Sequence, residues 1–407
     1  MDLDHNIFPL TGVIQNYAWG GTVFIPELLG IKNETQQPYA ELWMGTHTRG
    51  PATVSVGGKT LPLGALIAAH PEAILGAPTV AEFGPQLPFL FKVLAVKKML
   101  SIQVHPTKAA AEIGFAKENE LGIPLSAPHR NYKDDNHKPE IMVAMSDFWL
   151  LHGFKSKVAI AASLAAVPEL KELLTFFQAK TTLALYQYLM ELPQAAVNQI
   201  LKPLANRLAT AFQAGKLQKS AADYWAALAF QENNLPNGDL DRGIFSIYLF
   251  NLVFLKKGEA IFQDAGIPHA YLEGINIELM ANSDNVFRGG LTVKHIDVPA
   301  LMQHLRTDAI VPHIIQAAPI SATEKLYACP AIDFTLSQIV LQQGQVHEAT
   351  ENPAPAVLIV LEGTVWVSAG NQKIKRTRGE SFFAAAEVPY QIETEGSAVL
   401  YKASVPV

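Results

Sequence analysis

The chain has a single cysteine, Cys329, in 407 residues. That excludes a disulfide within the chain and suits a reducing compartment. Charged residues are only 17% of the sequence, the net charge is −6, and Lys and Arg form no block. A nucleic-acid partner would call for such a block, so none is expected. Long hydrophobic runs are also missing. The longest, Ile244 to Leu255, is broken by Ser246 and Asn251 and falls short of the roughly 20 residues that span a bilayer. The opening Met1-Asp2-Leu3-Asp4-His5 is acidic and lacks a basic stretch followed by an apolar one, so no leader is expected. No glycine-rich phosphate loop of the Walker type occurs. These absences predict a cytoplasmic protein without a membrane partner. No coiled coil or long exposed apolar stripe demands a dimer, so a monomer is expected.

What is present changes texture twice. Residues 1 to about 155 hold short apolar runs, Gly and Pro, which predict strands and turns, with one helix over Lys108 to Asn119. From about Ser156 to Asn234 the chain is rich in Ala and Leu. There Val197, Ile200, Leu201, Leu204, Leu208 and Phe212 recur at helical spacing and form one apolar stripe, which reads as core packing. Pro203 should bend this helix or end its first part. After Pro236-Asn237-Gly238-Asp239 the strand texture returns.

Four residues carry the strongest chemical signal: Gln103 and His105 in Ser-Ile-Gln-Val-His-Pro, Glu140 in Asn-His-Lys-Pro-Glu, and His269 in Gly-Ile-Pro-His-Ala-Tyr. If Met99 to His105 is a strand, period two puts Ser101, Gln103 and His105 on one face. Two imidazoles, a carboxylate and an amide oxygen form a cage for one divalent metal. This mixed N/O set suits zinc, and with water in an open position it is catalytic rather than structural. Each His taken singly is more often a hydrogen-bonded core residue.

Six motifs resemble type I mannose-6-phosphate isomerase, in that family's order. They are Gln15 to Gly20, Ala40 to His47, Pro88 to Leu94, Leu100 to Pro106, Asn136 to Glu140 and Ala281 to Gly290. The resemblance implies a zinc enzyme that interconverts mannose 6-phosphate and fructose 6-phosphate. It also implies that Gln103, His105, Glu140 and His269 are the metal ligands.

A worn internal repeat aligns Gly258 to His269 with Gly379 to Tyr390 without gaps. It resembles the second conserved motif of the cupin jelly roll. The fold expected is therefore mainly β, with two tandem cupin-type jelly-roll barrels and an α-helical insertion. Residues 1–155 plus 235–300 form the catalytic barrel, 156–234 the insertion, and 301–407 a C-terminal barrel without metal. In the second copy Tyr390 replaces the ligand His269. His347, the only histidine after His313, has no ligand partner there.

Isomerisation of an aldose to a ketose moves a proton between C1 and C2 through an enediol. Arg288 falls on the family's active-site arginine. Asp284 would orient Arg288 if the segment is helical, or carry a proton itself. Glu278 interrupts an apolar strand pattern: it either faces solvent or is buried with a raised pKa that suits proton transfer. Lys138 shares a strand face with Glu140 and can meet substrate oxygens. Lys92 either snorkels or is buried against a sugar phosphate or a carboxylate. Arg288 and Lys294 are the cationic pair for the phosphate, with Ser101 as a hydroxyl donor and Tyr271 as a wall of the sugar pocket. Two other readings fit the motifs less well: a different metal-dependent cupin enzyme, and a non-enzymatic sugar-phosphate sensor.

Overall fold

The computed structural model describes residues 7–232 and 235–406. The first six residues, on which the leader argument rests, and Asn233 and Asn234 at the end of the insertion lie outside the described residues.

Strands form the frame, and every ladder between them is antiparallel. One sheet has nine strands. In spatial order they are Ala318–Pro319, Glu324–Tyr327, Thr335–Leu341, Ala398–Ser404, Ala356–Glu362, Ser381–Ala384, Ile7–Thr11, Thr53–Val56 and Lys59–Pro62. A second, of ten strands, carries the ligand motifs. Its main path runs Phe250–Leu255, Phe148–Phe154, His269–Ala281, Phe89–Val96, Glu41–Met44 and Val13–Gln15. A third sheet of four strands lies within residues 346–394. Among the described residues no sheet closes on itself, so the frame is mainly β but is built from open sheets rather than closed barrels.

The nine-stranded sheet also crosses the boundary expected at residue 300. Ile7 pairs with Ala384 and Leu10 with Ser381, so three strands from the first 62 residues complete the sheet of the C-terminal half. The sheets share one core because strands alternate their side chains between two faces. Phe91, Val93, Ile141, Val143, Ile277 and Leu279 point away from the ligand motifs. They pack in one cluster with Leu336, Val357, Ile359, Phe383 and Tyr401.

Helices gather between Lys157 and Glu232, where Ser156 and Thr181 cap two of them through side-chain oxygens that accept backbone N–H groups. The predicted stripe is there: Val197, Leu201, Leu204 and Leu208 are fully buried. Pro203 does not end the helix, which runs unbroken over Gln194–Gln213. Its ring faces solvent, so the missing hydrogen bond to the preceding turn leaves a carbonyl that water can reach. The helical cluster packs against Ile102, Val104 and Phe287, bracing the strand that carries Gln103. The Ile244 to Leu255 run splits into a helix, Ile244–Leu249, and a strand, Phe250–Leu255. Among the described residues, no helix is long and apolar enough to cross a membrane.

A shared core should make the halves unfold cooperatively. Phe383→Ala should cost about 3–5 kcal/mol. Urea unfolding followed by tryptophan fluorescence and by circular dichroism should shift together; transitions that separate would show independent cores.

Candidate metal centre and substrate pocket

The site is written in the register of one strand. In His269–Ala281, Glu278 lies opposite Lys92 and Met280 lies opposite Glu140. Trp43 lies opposite Lys92, Glu41 opposite Leu94, and Gln263 opposite Glu140. Period two therefore places Glu41, Trp43, Lys92, Glu140, Gln263 and Glu278 on one face. At its other end the same strand sets His269 opposite both Gln103 and His152. Gly274 marks the point where the strand exchanges partners. Its φ is +136°, and a Cβ there would lie 2.4 Å from Phe148 Cδ2, so only glycine fits.

His105 Nε2 lies 3.4 Å from Glu140 Oε1, and His269 Nε2 lies 3.2 Å from Glu140 Oε2. Both tautomers are set from behind. His105 Nδ1 donates to the Asn285 carbonyl at 2.7 Å, and His269 Nδ1 donates to the Ile267 carbonyl at 3.0 Å. That leaves both Nε2 lone pairs turned toward the carboxylate. Burial, then the Lys138 charge, pushes His105 down to about 4, so it is neutral, as a metal ligand must be. For Glu140, burial works upward. Lys138 and the two imidazoles outweigh it and hold the carboxyl well below the usual carboxylate range.

These residues fit a metal ion on three counts. His105 Nε2 is buried with no hydrogen-bond partner. The three ligand atoms lie within 4.8 Å of one another, and the two short spacings approach the ~3.3 Å between donors about 2.0–2.1 Å from a tetrahedral ion. Finally, three buried carboxylates, Glu41, Glu140 and Glu278, face two buried ammoniums, Lys92 and Lys138, leaving a negative surplus that a cation offsets. Gln103 is half-buried and lies opposite His269 and Arg288 in the strand register.

The other candidate residues pair as follows. Of the alternatives for Lys92, the structure has the buried one with carboxylate partners: its Nζ is 3.0 Å from Glu278 Oε1 and 3.6 Å from Glu41 Oε2. Glu41 in turn accepts from Trp43 Nε1 at 2.5 Å. The Tyr271 hydroxyl donates to Glu278 Oε2 at 2.8 Å. Burial raises the Glu278 carboxyl, with Lys92 opposing and Glu140 adding to the rise. Lys138 reaches Glu140 Oε1 at 2.8 Å from just outside the strand. The segment around Asp284 is not helical, so Asp284 does not turn toward Arg288. Its carboxylate pairs with Arg49 and lies 3.2 Å from His47 Nε2. Ser101 is half-buried two residues before Gln103. Arg288 lies within charge range of Lys133 and Lys294, and Lys294 also feels Arg49. Beside them a cleft of about 490 Å³ is lined by His47, Lys133, Asp134, Ser283 and Asp284.

Asn285 is the functional residue that sequence reasoning passed over. It is fully buried. Its carbonyl orients His105, while its side-chain amide holds the Asp134 and Asn136 carbonyls and accepts from the Lys133 N–H. It lies in a quoted motif, but no spacing assigns it a task. In the C-terminal half, Tyr390 opens the strand Tyr390–Thr394 as His269 opens its own. His347 does have neighbours there: Nδ1 meets Thr323 Oγ1 at 3.0 Å, and Nε2 is 3.9 Å from Glu324. Glu324 is held by Lys402 at 2.7 Å.

His152 is also pushed down to about 4, by burial and then by His269. Both His105 and His152 fold neutral with values below the ordinary 6.5. The unfolded chain therefore binds more protons in that window, and stability present above about 6.5 is lost as pH falls toward about 4. The Tm of metal-stripped protein should drop across this range and drop less in His152→Leu. A flat Tm would contradict buried neutral imidazoles.

A profile described as "Phosphomannose isomerase type I, catalytic domain" matches residues 7–157. Mannose-6-phosphate isomerase of Escherichia coli K12 is 36% identical over 390 residues, covering 95% of this chain and 97% of that protein. The Mus musculus mannose-6-phosphate isomerase is 34% identical over 433 residues, covering 98% and 96%. A crystal structure of mannose 6-phosphate isomerase from Salmonella typhimurium, bound to substrate (f6p) and zinc, superposes with a TM-score of 0.87 at 34% identity. That match covers 99% of this chain and 100% of that one. With near-complete coverage by relatives of this identity, the chain belongs to the type I mannose-6-phosphate isomerase family.

Proposed function

We propose that the chain is a zinc-dependent isomerase that interconverts mannose 6-phosphate and fructose 6-phosphate by proton transfer between C1 and C2 through an enediol. One observation carries the reading. Two imidazole Nε2 atoms converge on the Glu140 carboxylate at 3.4 and 3.2 Å, on the sheet face that also bears Glu278 and Lys92. Gln103, His105, Glu140 and His269 would hold the zinc, which when bound polarises or orients the sugar oxygens. The architecture is read as two cupin-type jelly rolls in tandem, with the helical insertion in the first, a reading supported by the gapless repeat.

The remaining steps belong to the chain's own side chains. A base must take the C2 proton of open-chain mannose 6-phosphate and return it to C1, while the sugar oxygens exchange a proton. Glu278 suits the carbon-bound proton, because burial holds its carboxyl above the usual range and so brings it nearer neutral pH. Lys92 and Tyr271 fix the two Glu278 oxygens. Lys138 Nζ, already on the rim of Glu140, donates to a sugar oxygen. Arg288 stabilises the charge that develops on the enediol. Asp284 is a fixed anion that orients Arg49 and His47 at the pocket mouth. Lys294 and Arg288 read the phosphate dianion, with Ser101 as a hydroxyl donor, and binding energy from this remote group positions the reacting carbons.

Purified protein should convert mannose 6-phosphate to fructose 6-phosphate, lose turnover to a chelator and regain it with zinc. Full activity in metal-free protein would refute the metal assignment. Elemental analysis should give one zinc per chain, because the C-terminal half offers Tyr390 where the first offers His269. Glu278→Gln should keep the zinc and lower kcat by about 10²-fold or more.

A second measurement concerns the phosphate. Lys294→Ala should raise KM for mannose 6-phosphate and hardly change the far slower reaction of free mannose. Equal losses on both substrates would remove Lys294 from the phosphate site.

A further inference from the structure

The C-terminal half touches the catalytic segment at one charged contact that the mechanism has not used. Asp333 lies in the short connection between strands Glu324–Tyr327 and Thr335–Leu341 of the nine-stranded sheet. It is 3% exposed, although nothing about a connecting loop requires a buried carboxylate. Its two oxygens lie 2.8 and 3.1 Å from His137 Nε2, a residue 196 positions earlier. A buried carboxylate is tolerated only when paired, and here the pair joins two sheets. The next residue, Phe334, is buried in the core shared by both sheets, so the loop that carries Asp333 is anchored.

His137 immediately precedes Lys138, Pro139 and Glu140. This stretch has no regular secondary structure until the strand begins at Glu140, so side chains must hold it. On its upstream side Asn285 Nδ2 grips the Asp134 and Asn136 carbonyls at 2.8 Å each, and Ser283 Oγ donates to Asp134 Oδ1 at 2.7 Å. Downstream, the Ala281 N–H donates to the Pro139 carbonyl at 3.1 Å. Between these ties the chain must deliver Lys138 Nζ to Glu140 Oε1 at 2.8 Å. The His137 side chain, held by Asp333, is the clamp at that point.

We propose that Asp333 is a positioning residue of the active site: through His137 it fixes segment 136–139 so that Lys138 stands over Glu140. The C-terminal half then supplies a part of the catalytic apparatus and not only a wall of core. The inference rests on the reading of Lys138 and Glu140 as active-site groups. It differs from that reading in locating the control outside the first 300 residues.

The test uses full-length zinc-loaded protein and two substitutions. Asp333→Ala removes both acceptors, while Asp333→Asn keeps one oxygen that can still accept from His137 Nε2–H. Asp333→Ala should lower kcat at least tenfold, with KM changed less than about threefold and zinc still at one per chain. Asp333→Asn should return kcat to within about threefold of the parent. Amide exchange in segment 134–140 should speed up at least tenfold in the Ala variant and remain slow in the Asn variant. The proposal is overturned by an Ala variant within twofold of parental kcat, by an Asn variant no better than Ala, by zinc loss that accompanies the loss of rate, or by unchanged exchange. If the parent itself does not turn over mannose 6-phosphate, the functional reading fails, and the exchange measurement still decides the clamp.

Discussion

One thirteen-residue strand, His269–Ala281, carries most of what the molecule needs. Its alternation gives it two faces with opposite requirements. Ile277 and Leu279 must be dry, packed against the C-terminal sheet. Glu278, between them, must be charged and paired with Lys92. His269, at the strand's start, must bring its Nε2 to within 3.2 Å of Glu140 Oε2. A slip of one residue in register would bury the charge among aliphatics and turn the aliphatics into the pocket. The strand is held against such a slip by four partner strands and by the turn of backbone at Gly274.

Buried charges make the face coherent rather than merely polar. Taken alone, Lys92 would be an expensive ion in an apolar run. Glu278 and Glu41 hold it protonated against its own desolvation, Tyr271 donates to the other Glu278 oxygen, and Trp43 donates to the Glu41 oxygen that faces Lys92. The same logic recurs one step along the face, where Lys138 lies against Glu140. Two lysine–glutamate pairs side by side give the pocket a defined shape before substrate arrives, and preorganised charge of this kind does not have to reorganise during reaction.

Much of the site was legible because its parts are local. Gln103 with His105, the Lys138-Pro139-Glu140 run and His269 each sit in a short motif whose chemistry shows without a fold, and the structure gathers His105, Glu140 and His269 into one group. The helical stripe from Val197 to Leu208 was legible for the same reason: its period is short. What could not be read depends on register and distance along the chain. The partners of Lys92, the turn of Asp284 toward His47 and Arg49, and the clamp of Asp333 on His137 each join segments that no local pattern connects. Closed barrels were expected from a repeat, but a repeat of motif says nothing about how strand edges are finished. Here strands from the first 62 residues lie beside those of the last third.

That last arrangement matters during synthesis. Ile7–Thr11 has Ser381–Ala384 as one neighbour, and Phe8 and Leu10 are buried only once the sheets have met. On the ribosome this strand emerges early and must wait for nearly the whole chain before that edge is covered. An unpaired apolar strand is an open template for other chains, and its exposure time is set by translation rather than by intrinsic folding speed. Yield in a cell should therefore depend on elongation rate and on chaperones that shield nascent strands, even where the finished protein is stable.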